Sequence, residues 1–281
     1  MTINRKKAAI LLSGTGSNAH AILEYLKNNI NAAYEVVYLF TDNPTGSRTE
    51  ELSKLYHIPM GSCDIKEFYK QHGEESIKLD TPKRRQLREE WTEIIAKDIL
   101  SKDIDFVIMA GFVPLTNLAS LIPCLNVHPG DLTINDENGM RMLAGLHIKP
   151  VENAILNDFD YLRSSVILVQ PYQGDGKDQL DGGPVLGVSP KMDIDFMGYS
   201  LDELKTIYKN RTCPPYNDAL RQVAHHNVER LKVKGDHVVF PLTINEYAKG
   251  TYSFAENKLF WNNKEVLTIE FSHEKIVEIF A

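Results

Sequence analysis

An amide, an imidazole and a carboxylate stand out by type and spacing. Asn126 and His128 lie two residues apart in Leu125-Asn126-Val127-His128-Pro129-Gly130-Asp131, and Asp181 sits in Leu180-Asp181-Gly182-Gly183-Pro184. Acyl transfer to an amine passes through a tetrahedral intermediate, and its donors must already point at the oxygen on which charge develops. Asn126 and a protonated His128 are candidate donors. Asp181 is the candidate partner that keeps the imidazole charged, because an opposite charge within about 4–6 Å favours the imidazolium. It is also the candidate acceptor of the amine proton through water, a task worth roughly 10²–10⁴-fold in rate. Singly, a histidine after a strand is more often a hydrogen-bonded loop residue, and Asp-Gly-Gly-Pro is more often a turn. Their order behind a glycine turn reverses that weighting.

The turn is Ser13-Gly14-Thr15-Gly16-Ser17-Asn18, between an apolar run and a helical pattern. Glycines let a ligand approach the backbone, and free amides at a helix N-terminus attract an anion. The helix dipole adds only about 0.3–1 kcal/mol at an exposed site, so the amide hydrogen bonds dominate. Gly16, Ser17 and Asn18 are the candidate phosphate holders. The plainer reading is a tight turn with Asn18 as an N-cap. A rival functional reading is a dinucleotide site, with Ala19 in the third glycine position and Asp42 as the acidic residue closing the second strand.

These groups need elements to hold them. Ala8 to Leu12, Tyr34 to Thr41, Ile58 to Met60, Phe106 to Ala110 and Leu125 to His128 read as strands, alternating with helical patterns at Ala19 to Leu26 and Thr49 to Tyr56. The alternation predicts an α/β fold, a doubly wound and mainly parallel sheet with right-handed crossovers. Ligands bind such sheets at the carboxyl ends of their strands, where the glycine turn, the loop Gly111 to Leu115 and His128 all fall. The long 61–103 connection carries a helix over Asp64 to Gln71. A second helix starts at Asp80-Thr81-Pro82 and presents Leu87, Trp91, Ile94, Ile95 and Ile99 on one face. Further on, Leu146 to Leu156 is helical, Ser165 to Gln170 and Pro184 to Pro190 are strands, and a polar loop covers Gln173 to Asp178. Leu201 to Lys232 is helical with a break at Cys213-Pro214-Pro215. Strands at Thr251 to Phe254, Lys258 to Trp261 and Glu265 to Phe271 then make 233–281 a small β-rich appendage to a main domain over 1–232.

Bulk properties exclude several classes. The 281 residues are 43% hydrophobic and 25% charged with a formal charge of −7, which gives a nucleic-acid partner no support. The basic run Lys83, Arg84, Arg85 and Arg88 is followed by Glu89, Glu90 and Glu93 and reads as a solvated helix face. No stretch approaches the roughly 20 apolar residues of a membrane span, and the N-terminus reads as a first strand rather than a signal peptide. Cys63, Cys124 and Cys213 are scattered and suit a reducing cytoplasm. No metal-ligand spacing occurs: His225 and His226 are neighbours on a helix and point apart.

The chain resembles the phosphoribosylglycinamide (glycinamide ribonucleotide) formyltransferases, within the wider formyltransferase fold family. The pieces that carry the resemblance are Gly14-Thr15-Gly16-Ser17-Asn18, Ala110-Gly111-Phe112, Asn126-Val127-His128-Pro129, Gly145-Leu146-His147 and Leu180-Asp181-Gly182-Gly183-Pro184, in family order across about residues 8 to 230. The resemblance implies formyl transfer from 10-formyltetrahydrofolate to the amine of a phosphorylated small molecule, glycinamide ribonucleotide first, in purine biosynthesis. It implies Asn126, His128 and Asp181 as the catalytic trio and Gly16, Ser17 and Asn18 at the substrate phosphate. Arg88, Val113, Pro114, Leu115, Thr116 and Asn126 border the folate, and no metal takes part. Alternatives are an amino-sugar phosphate acceptor, a formyltetrahydrofolate hydrolase and a silent ligand-binding homologue. The partners are small molecules, with a homo-oligomer left open through the C-terminal strands. Departures cluster after the histidine, where Gly130-Asp131-Leu132-Thr133 replaces Ser-Leu-Leu-Pro, and in Val113-Pro114 where the family has Met-Arg. A family histidine is replaced near Ile167, and 233–281 has no recognised counterpart.

Overall fold

The structure, a computed structural model, describes residues 5–146, 148–176, 181–256 and 258–280. His147 and Leu180, quoted above, lie outside the described residues. The chain divides into two units. The first holds the residues up to Val127 together with Ile167–Pro184 and Ile244–Thr251. The second holds His128–Val166, Val185–Thr243 and the residues from Tyr252 onward.

In the first unit, apolar runs form β1 (Lys6–Leu11), β2 (Tyr34–Thr41), β3 (Met60–Ser62), β4 (Phe106–Met109) and β5 (Cys124–His128). They pair in parallel in the order β3-β2-β1-β4-β5. Order reverses at β1, and a crevice at such a switch point is where open α/β sheets bind ligands. The crossovers are α1 (Ser17–Asn28), α2 (Thr49–Tyr56), α3 (Ile65–Gln71) and α4 (Pro82–Leu100). The start of α4 follows from its sequence: Thr81 Oγ1 accepts from the Arg84 amide at 3.2 Å, and Pro82 occupies the first turn.

Alternation along the strands sends Ala9, Leu11, Tyr38, Phe40, Val107 and Met109 into one cluster with Leu87, Trp91, Ile95 and Ile99 of α4. Each large side chain buried there contributes about 1.5–3 kcal/mol. Ile94, expected on that face, is exposed instead; at 100° per residue it falls between the stripe and solvent.

In the second unit lie α5 (Lys149–Leu156), β6 (Tyr161–Leu162), β7 (Ser165–Leu168, its last two residues in the first unit), β8 (Val185–Val188) and β9 (Met192–Asp193). α6 (Leu201–Lys209) and α7 (Ala219–Leu231) follow, and a π-helical turn over Lys232–Asp236 leads into α8 (His237–Lys249, its residues from Ile244 on in the first unit). Residues 237–249 were expected inside the β-rich segment and are helical. Val238, Val239, Thr243 and Ile244 favour strands and Pro241 disfavours helices, but burial of Val239, Phe240 and Ile244 overrides both preferences.

The β-rich part begins after α8. β10 (Tyr252–Ala255), β11 (Lys258–Trp261) and β12 (Lys264–Val266) form a small antiparallel sheet. β13 (Thr268–Phe271) instead pairs in parallel with β8, and β14 (Ile276–Ile279) pairs antiparallel with β13. Among the described residues, no helix is long and apolar enough to cross a membrane.

Candidate active site

The glycine turn belongs to the first unit. Gly16 is the N-cap of α1 with φ +65°, the left-handed region that glycine enters without strain. It has no side chain to occupy the first amides of the helix. A Cβ here would stand 3.0 Å from the Cδ1 atoms of Leu12 and Leu52. Asn18 lies inside α1 rather than at its cap, so the plainer N-cap reading does not hold. The turn is pinned from three sides. Ser13 Oγ donates to Asp42 Oδ1 at 2.5 Å and accepts from the Val113 amide at 2.8 Å, while the Arg48 amide donates to Gly14 O at 3.1 Å. Burial, the largest influence, raises the Asp42 carboxyl above its ordinary value, and the Ser13 hydrogen bond works against it. Asp42 is thus a buried brace for the turn, not the free ribose acceptor that a dinucleotide site needs.

Asn126 and His128 share one face of β5, since side chains alternate along a strand. Asn126 is half-buried, at the register position opposite Met109 of β4. His128, the first residue of the second unit, is only 3% exposed. Its Nε2 lies 2.7 Å from Leu143 O. A carbonyl only accepts, so Nε2 carries the hydrogen. Gly130 closes against the ring: a Cβ there would lie 3.0 Å from His128 Nε2 and 2.7 Å from Leu143 O.

Asp181 and Asn126 both belong to the first unit. Asp181 is half-buried at φ +59°. The left-handed conformation suits aspartate and asparagine better than most residues. Gly183 is required by packing, because a Cβ there would meet Leu168 O at 1.8 Å.

Arg88 and residues 113–116 meet inside the first unit, in a different relation from a ligand-facing cation. Arg88 is 3% exposed, and its guanidinium donates to Leu115 O and to Ile77 O, both at 2.7 Å. It therefore shapes the loop from within. Thr116 accepts from the Leu118 amide at 2.9 Å and starts the 3-10 turn Asn117–Ser120. Val113 is exposed, Leu115 and Thr116 are partly or fully buried, and Pro114 is buried. Sequence reasoning missed three residues that brace this loop. Tyr172 donates through its hydroxyl to Glu89 at 3.0 Å and through its amide to Asn117 at 2.9 Å, and Asn117 donates to the same Glu89 oxygen at 3.1 Å. Nothing in their spacing, some 80 residues from Glu89 to Tyr172, signals the contact.

Also missed was the environment of Asp131, in the second unit. It is 1% exposed and accepts from Thr133 N at 3.1 Å, from Thr133 Oγ1 at 2.5 Å and from Tyr161 OH at 3.1 Å. The one signal was the departure at Gly130-Asp131 from the family run. Among the described residues, no cluster of His, Cys, Asp and Glu is arranged to hold a metal ion.

No family model matches the chain, and no curated protein matches it in sequence. Solved structures do match it in fold. The phosphoribosylglycinamide formyltransferase of Coxiella burnetii superposes with a TM-score of 0.62 at 17% identity, covering 96% of this chain and 100% of that one. Glycinamide ribonucleotide transformylase 1 of Symbiobacterium toebii gives 0.60 at 15% identity, covering 92% and 94%. The phosphoribosylglycinamide formyltransferase of Anaplasma phagocytophilum gives 0.59 at 15%, covering 95% and 99%. The chain has the fold of these enzymes, a mainly parallel sheet with helices, plus a small antiparallel C-terminal sheet.

Proposed function

We propose that the protein transfers a formyl group from 10-formyltetrahydrofolate to the primary amine of a phosphorylated small molecule, with glycinamide ribonucleotide as the first acceptor. The observation that carries the reading is the pair Asn126 and His128 on one face at the carboxyl end of β5, in a sheet whose first strand ends in an uncapped helix N-terminus. The likeness of fold to formyltransferases supports it.

The amides that open α1, with the Ser17 hydroxyl, hold the phosphate. The uncapped Gly16 and its close fit against Leu12 and Leu52 suit a compact anion. The folate supplies the formyl group, and residues 113–116, held by Arg88, border it. Asn126 donates from its carboxamide to the oxygen on which charge develops. His128, in its protonated form, donates to the same oxygen. The amine attacks the formyl carbon, the bond from that carbon to the folate nitrogen breaks, and the proton the amine loses passes by way of water and Asp181 to the departing nitrogen. The free thiols of Cys63, Cys124 and Cys213 suit the cytoplasm as the place of this activity.

The test is an acceptor panel with the formylated folate, read by mass spectrometry. Formylated glycinamide ribonucleotide is the expected product. Formylation of an amino-sugar phosphate instead would change the acceptor, formate release without an acceptor would make the protein a hydrolase, and binding of both ligands without turnover would end the enzyme reading.

A further inference from the structure

Asp131 anchors a buried ionic network that reaches from the residues after His128 to the C-terminal strand β13. Arg163, whose side chain is 5% exposed, lies 3.8 Å from Asp131 Oδ2 through NH1. It pairs through NH2 with Glu270 of β13 and donates through Nε to Ser189 O at 2.9 Å. Taking an ion out of water costs several kcal/mol, and a buried ion pair is often no more stabilising than well-packed apolar residues. Global stability therefore does not account for three charges gathered here. Position does. Asp131 follows Gly130, the residue that walls the His128 ring. Ser165 fixes the same stretch by donating to Gly130 O at 2.8 Å and accepting from the Leu132 amide at 3.0 Å. Burial, the largest influence, and after it the neighbouring Asp131 carboxylate push the Tyr161 phenol up to about 12.

We infer that Arg163 and Glu270 are positioning residues for His128. Glu270 orients Arg163, Arg163 holds Asp131, and Asp131 sets the backbone of Gly130 against the imidazole. The C-terminal segment that carries β13 is then part of the working apparatus rather than an appendage to it. All of these residues lie in the second unit. The inference rests on the proposed catalytic role of His128, but its first readout does not need turnover.

The experiment compares the full-length protein with Glu270→Gln and Asp131→Asn. Glu270 is the milder site, since its side chain is 21% exposed and glutamine keeps its shape. The His128 ring nitrogens, assigned among nine histidines by their loss in His128→Gln, are followed by two-bond proton–nitrogen correlation, and formyl transfer is assayed in parallel. In both variants the His128 resonances should shift, and kcat should fall roughly tenfold to a hundredfold with KM within about twofold, as for a displaced catalytic group. Unchanged His128 resonances in both folded variants would overturn the inference whatever the activity. Shifted resonances in a protein that transfers no formyl group would leave the positional link standing and remove the proposed function.

Discussion

Ser13 and Asp42 meet in a buried hydrogen bond of 2.5 Å just past the ends of β1 and β2. Because the hydroxyl spends its proton on Asp42, its lone pairs are left to take the Val113 amide at 2.8 Å. One carboxylate thereby braces the phosphate turn and the loop that borders the folate in the proposed reading.

Asp42 should make stability depend on pH in the direction opposite to most carboxylates. Burial raises its folded value above the ordinary 3.8, so the folded protein binds this proton more tightly than the unfolded chain. Its contribution is then most favourable below 3.8 and is lost as pH rises through the raised folded value. Asp42→Asn keeps an acceptor for Ser13 and does not titrate. Denaturant melts should show the variant gaining on the wild type as pH rises from about 3.5 to 7. A gap that is constant with pH would show that Asp42 is not the titrating brace.

The two site glycines separate packing from function. Gly183→Ala drives a Cβ into Leu168 O, and the backbone must move at a cost of about 3 kcal/mol or more, visible as a lowered midpoint in denaturant. Gly16→Ala adds the left-handed penalty of about 1–2 kcal/mol and pushes on the flexible ends of Leu12 and Leu52. Its larger effect should be on the anion. Steady-state assays should show KM for the phosphorylated acceptor rising several-fold while KM for the folate holds.

Arg88→Met should cost more than a surface arginine would. The substitution strips the donors from Leu115 O and Ile77 O, and each buried acceptor left unsatisfied costs about 1–3 kcal/mol. Thermal melts should register the loss. The loss of hold on Leu115 should raise KM for the folate at pH 7 and leave the acceptor KM near its starting value.

Much of this architecture was legible along the chain because its causes are local. The strands around the glycine turn are short apolar runs, and Thr81-Pro82 starts α4 by side-chain chemistry that acts over three residues. Arg88 was not legible. It sits in a basic run whose members Lys83 and Arg84 do meet Glu74 at the surface, and only the tertiary fold turns Arg88 inward. Arg163 and Glu270 are 107 residues apart, so no window of sequence contains both. The helix α8 was hidden because Pro241 and its β-branched neighbours argue against helix until their burial is known. The Asn126–His128 pair was visible because two residues on one strand must share a face. The tautomer of His128 was not, because Leu143 approaches it from 15 residues away.

The roles of His128 and Asp181 can be separated from their places in the fold by choosing substitutions that respect the geometry. Asp181 stands at φ +59°, a conformation asparagine tolerates well and alanine does not. Asp181→Asn therefore removes the carboxylate without adding backbone strain. His128 is buried and hydrogen-bonded to Leu143 O. His128→Ala would mix a cavity with a lost donor, whereas His128→Gln keeps an N–H within reach of that carbonyl. If these groups act as proposed, both variants should lose roughly 10²–10⁴-fold in kcat, with modest changes in KM. The double variant should lose little more than the worse single one, because groups that serve the same step are far from additive. Full activity in both single variants, with the folded state intact by circular dichroism, would remove this pair from the chemistry.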